Sequence, residues 1–267
     1  MSQSPAHREP SIWNAITRAV SPSIVRCELS HIARAPIDME LARTQHDNYL
    51  RALERVGCRV LTMPAEAELP DSVFVEDVAI VLDELAVLTR PGALSRRAEV
   101  ASVADVLRQY RPLHAIEAPA TLDGGDVLCI GRTLHVGQSA RSNPEGLVQL
   151  RDLLAAFGYA VEGVPTRDCL HLKSAVTALS DDSVLLQPAW VDRERFAALR
   201  IIEVDPAEAH AANVLRIGDA LIMPTSFPRT RQRLLDAGFQ VIAVDVSELQ
   251  KAEGAVTCCS LVFCTAS

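Results

Sequence analysis

Short apolar runs separated by polar turns follow one another in a fixed order along the chain. Val78–Leu82 and Leu85–Thr89 flank the polar pair Asp83-Glu84, a pattern that predicts a β-hairpin. From Ser95 to Tyr110 the apolar positions recur at helical spacing, and Leu113–Pro119 is an apolar run that ends at a proline. The predicted unit is therefore a polar loop, a hairpin, a helix and a strand.

The same order recurs further along the chain. Three more hairpins are predicted, at Val127–Ile130 with Thr133–Val136, Ala175–Leu179 with Val184–Gln187, and Val214–Ile217 with Ala220–Met223. The helix and strand that follow each hairpin are predicted at Asn143–Gly158 with Tyr159–Pro165, Arg193–Leu199 with Arg200–Val204, and Arg229–Ala237 with Phe239–Val244.

The N-terminal part contains only the end of such a unit, a helix over Met39–Val56 and a strand over Arg59–Pro64. A further unit begins at Cys258 and runs into an apolar stretch near the end of the chain. Its second strand has to come from the N-terminus, near Ile24, where Ile24–Cys27 has the composition of a strand. The two ends of the chain are therefore predicted to pair.

Corresponding loop positions of the units lie 40 to 49 residues apart: Asp77, Asp126, Lys173, Asn213 and Cys258. A repeat of this length predicts a circular α/β array whose loops face a common centre. The alternative is a doubly wound parallel sheet, but such a sheet does not contain a hairpin in most units. Residues 1–15 are predicted to be a disordered tail, and residues 16–267 a single α/β domain.

Composition narrows the function. The chain of 267 residues is 49% hydrophobic and has a formal net charge of −8, which disfavours nucleic acid as a partner and suits a small cationic substrate. Its seven cysteines show no framework spacing, as expected for reduced thiols in the cytoplasm. No apolar run approaches the roughly 18 residues that span a bilayer, and the N-terminus does not resemble a signal peptide.

The loops ahead of the hairpins contain the candidate chemistry. They carry acidic residues, a histidine and a thiol: Glu76, Asp77, Asp123, Asp126, His171 and Cys258. Each is an ordinary loop residue by itself, but in equivalent positions of one array they provide a nucleophile, an acid/base and anionic groups for a cation. The pair Cys258-Cys259 is also compatible with two buried structural thiols. A zinc site on adjacent cysteines is poorly supported.

Five stretches resemble the dimethylarginine dimethylaminohydrolases, which belong to the guanidino-group-modifying (pentein) superfamily. They occur in the family's order, and they are Leu69–Val78, Thr89–Ala93 with Ser95–Arg97, Thr121–Val127, Leu170–Ser174 and Leu249–Ser260. The resemblance implies a five-bladed α/β propeller, in agreement with the repeat. Arginine deiminases share that fold, but they typically carry a helical insertion for which this chain has no room.

The resemblance also implies roles for individual residues. Cys258 corresponds to the nucleophile, His171 to the general acid/base and Asp123 to the carboxylate that orients the histidine. The positions that correspond to substrate-binding residues are Glu76 and Asp77 at the guanidinium, Asp71 and the Leu29 carbonyl at the α-amino group, Arg96 and Arg141 at the α-carboxylate, and Ala252 through its backbone. The segment Ser30–Pro36 is predicted to be a lid, with a floppy connector as the alternative.

The implied activity is hydrolysis of Nω-methylated arginines, asymmetric dimethylarginine and monomethylarginine, to citrulline and methylamines. It proceeds through a covalent S-alkylthiouronium on Cys258, without a metal or an organic cofactor. The alternatives are hydrolysis of another guanidine, as in an arginine deiminase, and a non-catalytic arginine-binding or redox-sensing protein that uses Cys258 and Cys259. A homodimer is compatible with the sequence but not required by it.

Overall fold

The computed structural model describes residues 11–266, whose strands form five sheets of three strands each. In every sheet the middle strand pairs antiparallel with one neighbour and parallel with the other. This arrangement repeats around the molecule, so the predicted five-bladed α/β propeller is confirmed.

The strands, in chain order, are β1 Ser11–Arg18, β2 Arg59–Met63, β3 Ala79–Val81, β4 Ala86–Leu88, β5 Leu113–Ala115, β6 Val127–Ile130, β7 Thr133–Gln138, β8 Ala160–Pro165, β9 Val176–Ala178, β10 Ser183–Leu186, β11 Arg200–Glu203, β12 Leu215–Ile217, β13 Ala220–Pro224, β14 Gln240–Val244 and β15 Leu261–Ala266. The α-helices are α1 Met39–Arg55, α2 Val100–Leu107, α3 Pro144–Ala155, α4 Leu172–Ala175, α5 Pro228–Asp236 and α6 Ser247–Gln250. Short 3-10 helices occur at Ile24–Arg26, Val75–Val78, Leu94–Glu99, Gly124–Asp126 and Arg193–Phe196.

Local sequence signals explain where the longer helices begin. The side chain of Asp38 accepts hydrogen bonds from the backbone N–H groups of Glu40 and Leu41 and so caps α1. Asn143 caps α3 in the same way, with Pro144 in the first turn, as the sequence predicts. The helix predicted over Arg193–Leu199 is shorter than expected, a 3-10 turn at Arg193–Phe196.

The ends of the chain do pair, but through a different strand from the predicted one. β1 lies between β15, to which it runs antiparallel, and β2, to which it runs parallel. The predicted strand Ile24–Cys27 is wrong, because Ile24–Arg26 forms a 3-10 turn. The predicted tail is also wrong over residues 11–15, which belong to β1, whereas residues 1–10 lie outside the described part.

The sequence pattern did not predict β1, because several of its residues are polar. Asn14, Thr17 and Arg18 are all buried, and their side chains bond to residues that are distant in sequence. Asn14 donates to Thr265 Oγ1, Thr17 shares a hydrogen bond with Thr62, and the Arg18 guanidinium pairs with Glu66 at 2.9 Å. These partners compensate the cost of burying polar groups.

Helix α1 fixes the segment that leads into β15. Tyr49 is fully buried, and its hydroxyl donates to the carbonyl of Val256 at 2.8 Å and lies 2.7 Å from Ser260 Oγ. Tyr49 and Leu53 pack in one apolar cluster with Val256 and Cys259. The backbone on both sides of Cys258 is thereby anchored to a helix. Within residues 11–266 no helix has the length and apolar character needed to cross a membrane.

Candidate active site

A small cavity collects most of the predicted site residues. Its volume is about 20 Å³, and it is lined by Glu28, Asp71, Phe74, Asp77, Arg96, Arg141, Leu170, His171, Ala252, Glu253, Gly254 and Cys258. Seven of the ten predicted positions belong to this lining: Asp71, Asp77, Arg96, Arg141, His171, Ala252 and Cys258. Leu29, Glu76 and Asp123 lie outside it.

Cys258 lies in the wall of this cavity, and Cys259 does not. Burial, followed by the nearby carboxylates of Glu76 and Asp77, raises the pKa of the Cys258 thiol far above its ordinary value. Cys259 is fully buried, and its sulfur donates to the carbonyl of Ala255 at 3.4 Å. The two adjacent thiols therefore have different environments, and only that of Cys258 faces the cavity. Neither forms a disulfide within residues 11–266.

His171 is buried between two carboxylates. Its Nε2 lies 3.0 Å from Asp123 Oδ2, and its Nδ1 lies 3.7 Å from Asp77 Oδ1. Burial by itself lowers the pKa of His171, but the charge of Asp77 and the hydrogen bond to Asp123 outweigh it and raise that pKa to about 9. His171 is therefore an imidazolium at neutral pH and is able to donate a proton.

Asp123 is held rigidly behind His171. It is fully buried, its Oδ1 accepts from the backbone N–H of Gly92 at 2.9 Å, and its own N–H donates to Ser142 Oγ at 3.1 Å. Asp126, a further acid of the same loop, is also buried but accepts from Ser142 Oγ and from the N–H of Leu172 at the start of α4. Asp126 thus stabilises the loops around the site and does not line the cavity.

Asp77 and Arg96 form a buried ion pair at the cavity. The Arg96 Nη1 atom bonds to Asp77 Oδ2, and Nη2 lies 2.7 Å from Glu99 Oε2. Burial alone raises the pKa of Asp77, but His171 and Arg96 lower it below its ordinary value, so this carboxylate is ionised. Its Oδ1 also accepts from the N–H of Gly125 at 3.0 Å. Arg96 is accordingly engaged with protein carboxylates, which its predicted role did not anticipate.

Arg141 has a different environment. It is partly exposed, and its Nη2 atom donates to Ser30 Oγ at 3.2 Å. Across residues 11–266 no carboxylate oxygen lies within 4 Å of its guanidinium nitrogens, so no acid of this part of the chain neutralises its charge. Of the two arginines, Arg141 is therefore the better placed to receive an external carboxylate.

Glu76 does not line this cavity, and it contacts the chain segment around Cys258 instead. Its Oε1 pairs with Lys173 Nζ at 2.6 Å, and its Oε2 accepts from Thr257 Oγ1 at 2.6 Å. The Glu76 backbone N–H donates to the carbonyl of Cys258 at 3.1 Å. Glu76, Lys173 and Thr257 also line a separate cavity among strands of all five sheets. Their contacts hold the nucleophile segment in place.

The last two predicted positions, Asp71 and Leu29, come from the N-terminal part of the chain. The Asp71 carboxylate accepts from the backbone N–H of Glu28 at 3.1 Å, and burial raises the pKa of Asp71 despite the proximity of Arg96. Leu29 packs against an apolar cluster, and its neighbour Glu28 lines the cavity instead.

Sequence reasoning missed five residues of the lining, namely Glu28, Phe74, Leu170, Glu253 and Gly254. Four of them lie inside the stretches that carry the family resemblance, and Glu28 adjoins Leu29. The signal that could have identified them is their position next to predicted site residues.

Ligand atoms of Asp77, Asp123 and His171 lie within 4.8 Å of one another, which is close enough to surround a metal ion. The donor set argues for a different use. Asp77 already pairs with Arg96, and His171 is protonated at neutral pH, so a cation at this point would have to displace a proton and compete with a guanidinium. The cluster fits proton transfer and the binding of a planar organic cation.

The chain is similar to known proteins over most of its length. The profile of a family described as "N,N dimethylarginine dimethylhydrolase, eukaryotic" matches residues 31–263. The N(G),N(G)-dimethylarginine dimethylaminohydrolase of Streptomyces coelicolor is 42% identical over 248 residues, which cover 92% of this chain and 95% of the relative. Its namesake in Pseudomonas aeruginosa is 36% identical over 236 residues, 88% of this chain and 92% of the relative.

This chain belongs to the dimethylarginine dimethylaminohydrolase family. The resemblance found in the sequence is thereby confirmed, and solved structures of the family support it. The Pseudomonas aeruginosa enzyme, in a mutant complexed with citrulline, superposes with a TM-score of 0.90 at 33% identity, covering 94% of this chain and 100% of that chain. The N-terminal domain of ArgZ, an arginine dihydrolase from cyanobacteria, superposes with a TM-score of 0.84 at 21% identity and shows the fold alone.

Proposed function

We propose that this chain hydrolyses Nω-methylated arginines, asymmetric dimethylarginine and monomethylarginine, to citrulline and methylamines, with Cys258 as the nucleophile. One observation carries the proposal: in a chain of this family, Cys258 shares a cavity with the protonated His171 and the ionised Asp77. A thiol, a proton donor and a carboxylate are the groups that hydrolysis of a guanidinium requires.

The charges around the cavity indicate how the substrate lies in it. The guanidinium fits against Asp77, beside Cys258, because a carboxylate binds a planar cation through paired hydrogen bonds. The α-carboxylate fits against Arg141, which pairs with no carboxylate of residues 11–266, and the buried Arg96 lines the same cavity. The α-amino group fits against Asp71, with the backbone carbonyls of Leu29 and Ala252 as further acceptors.

Substrate binding activates the thiol. Burial, together with the carboxylates of Glu76 and Asp77, raises the pKa of Cys258 and keeps the thiol neutral before a substrate binds. A guanidinium next to the sulfur adds a positive charge, which stabilises the thiolate and lowers the pKa of Cys258, and the thiol proton leaves to solvent. The nucleophile is then formed only when the cationic substrate is in place.

The thiolate attacks the guanidinium carbon and forms a neutral tetrahedral adduct. As the carbon–nitrogen bond breaks, His171 gives its proton to the departing dimethylamine, and a cationic S-alkylthiouronium remains on Cys258. The neutral His171 then accepts a proton from the attacking water. The second adduct releases citrulline and restores the thiol.

Glu76 and Asp123 act through their neighbours. Asp123 holds His171 by its Nε2 atom, which directs Nδ1 toward the substrate. Glu76, through its contacts with Thr257 and the Cys258 carbonyl, keeps the nucleophile segment in position. Neither role needs direct contact with the reacting atoms.

The deciding experiment measures citrulline release from asymmetric dimethylarginine, monomethylarginine and arginine. Turnover of the two methylated substrates, with little turnover of arginine, is the expected result. Turnover of arginine alone would keep the mechanism but transfer the enzyme to the deiminases. No citrulline from any of the three would contradict the proposal. A cytoplasmic location and a homodimer stay predictions of the sequence.

A further inference from the structure

Glu253 has an unusual backbone conformation at the rim of the catalytic cavity. Its φ angle is +58°, in the left-handed region that residues other than glycine seldom adopt. Hydrogen bonds from the end of α6 impose this conformation, because the N–H groups of Ala252 and Gly254 both donate to the Leu249 carbonyl at 3.0 Å. Strained residues cluster at functional sites, so the strain points to a function for the Glu253 side chain.

The carboxylate of Glu253 binds three consecutive backbone N–H groups of the predicted lid. Ser30 donates to it at 2.9 Å and Ile32 at 2.8 Å, and the His31 N–H donates to the same oxygen as both. Consecutive amides that converge on one anion form a nest, an arrangement that favours a negative charge. The contact joins residues more than 220 positions apart.

Little else connects Ser30–Ile32 to the body of the protein. These residues are exposed and form neither helix nor strand. Further along, Arg34 donates to the carbonyls of Val25 and Cys27, at the 3-10 turn that precedes the segment, and Lys251 Nζ donates to the carbonyl of Pro36 at 3.0 Å. These bonds lie away from the catalytic cavity. The remaining connection near the cavity is the 3.2 Å contact of Ser30 Oγ with Arg141. Glu253 is therefore the main connection between the segment and the rim.

The closed arrangement leaves too little space for a substrate. A volume of about 20 Å³ accommodates about one water molecule, far less than an arginine side chain. Glu253, with His31 and Ile32, also lines an adjoining cavity of about 290 Å³. Glu253 belongs to both linings, whereas His31 and Ile32 line only the larger cavity. The bonded segment therefore lies beside the catalytic space, which has to widen before a substrate enters.

We infer that Glu253 is a latch, a positioning residue that draws Ser30–Ile32 back onto the rim after the cavity has opened to admit the substrate. The inference rests on the proposed function and deepens it. The carboxylate does not take part in the chemistry. It sets the balance between open and closed states, so its loss raises KM more than it lowers kcat.

The substitution Glu253→Gly distinguishes a latch function of Glu253 from a purely structural one. Glu253→Gly removes the carboxylate, and it also relieves the backbone because glycine adopts a φ of +58° freely. A purely structural contact would lower Tm when it is removed. For the latch we expect an unchanged or higher Tm together with a freed segment. Glu253→Gln keeps the size of the side chain and removes its charge, and an intermediate effect is expected.

Glu208→Gln is the matched control. The Glu208 carboxylate also accepts two backbone N–H groups, from Arg229 at 2.9 Å and Thr230 at 2.7 Å, at the start of α5. It does not line the catalytic cavity. Its replacement removes a similar interaction and should leave the segment and the kinetics unchanged.

The measurements are amide hydrogen exchange at residues 30–32, Tm, and kcat and KM for asymmetric dimethylarginine. For Glu253→Gly we expect exchange and KM to rise about tenfold, the effect of losing roughly one charge-assisted hydrogen bond, with kcat within about threefold. Wild-type values of exchange or of KM in this variant would overturn the inference, as would a general loss of Tm. If the wild type released no citrulline, the proposed function would fail, while exchange would still decide whether the latch exists.

Discussion

His171 Nε2 lies 3.0 Å from Asp123 Oδ2, and both side chains are buried. This pairing leaves Nδ1 as the nitrogen that faces Asp77, whose Oδ1 lies 3.7 Å away. Residues 48 positions apart in the chain are thereby combined into one acid/base unit. The protonation state and the orientation of His171 both follow from the carboxylates on its two sides.

Replacing Cys258 with serine should reduce citrulline release by at least about a thousandfold, because a hydroxyl is a far weaker nucleophile than a thiolate. The fold should survive, since serine is similar in size. Cys259→Ser is the matched control. Its hydroxyl is able to donate to the Ala255 carbonyl as the thiol does, so activity should stay within about threefold of wild type. Turnover by Cys258→Ser, or an equal loss in both variants, would contradict the assignment.

The raised pKa of His171 makes stability depend on pH. A group whose pKa is about 9 in the folded protein and 6.5 in the unfolded chain stabilises the fold fully below pH 6.5, and this contribution is lost as the pH rises toward 9. His171→Gln should therefore show a flatter dependence of Tm on pH between 6.5 and 9 than the wild type. Wild-type activity should also decline near pH 9 as the proton donor is lost. Identical Tm profiles for the two proteins would refute this account.

The two arginines at the cavity should respond differently to replacement by methionine. Arg96→Met leaves Asp77 and Glu99 buried without their cation, and the loss of unfolding free energy should be about 3–5 kcal/mol. Arg141→Met removes a partly exposed cation whose protein contact is with Ser30. Its stability should change little while KM rises about a hundredfold. Urea unfolding and steady-state kinetics measure both effects, and equal destabilisation would argue against the distinction.

Gly125 should tolerate no side chain. A Cβ atom there would lie 2.6 Å from both Asp77 Oδ1 and His171 Nδ1, so Gly125→Ala should displace them and lower kcat/KM by at least about a hundredfold. Gly131→Ala is the control, because its φ is +57° but no atom lies within 4 Å of the added Cβ. That variant should lose about 1–2 kcal/mol of stability and keep its activity. Full activity in Gly125→Ala would show that the contact is not critical.

Much of the architecture is predictable from the sequence because it depends on local patterns. The hairpins around Gly131 and Gly218 and the helices that begin at Pro144 and Met39 lie where apolar periodicity and capping residues predict them. The strand Ser11–Arg18 was not recognised, because its buried Asn14, Thr17 and Arg18 are polar. Their suitability for the interior depends on partners that are remote in sequence.

The candidate site divides in the same way. The sequence by itself determined the repeating unit, the family and the residues that carry chemistry, since these depend on residue type and order. Only the tertiary structure decided which of them are in contact. Arg96 forms ion pairs with Asp77 and Glu99, and the Glu76 N–H donates to the Cys258 carbonyl. The Glu253 carboxylate binds the segment that follows Leu29. Such contacts join distant positions, and their charges set the pKa values of His171 and Cys258. No local pattern contains that information, because Coulomb energy and desolvation depend on distances in space.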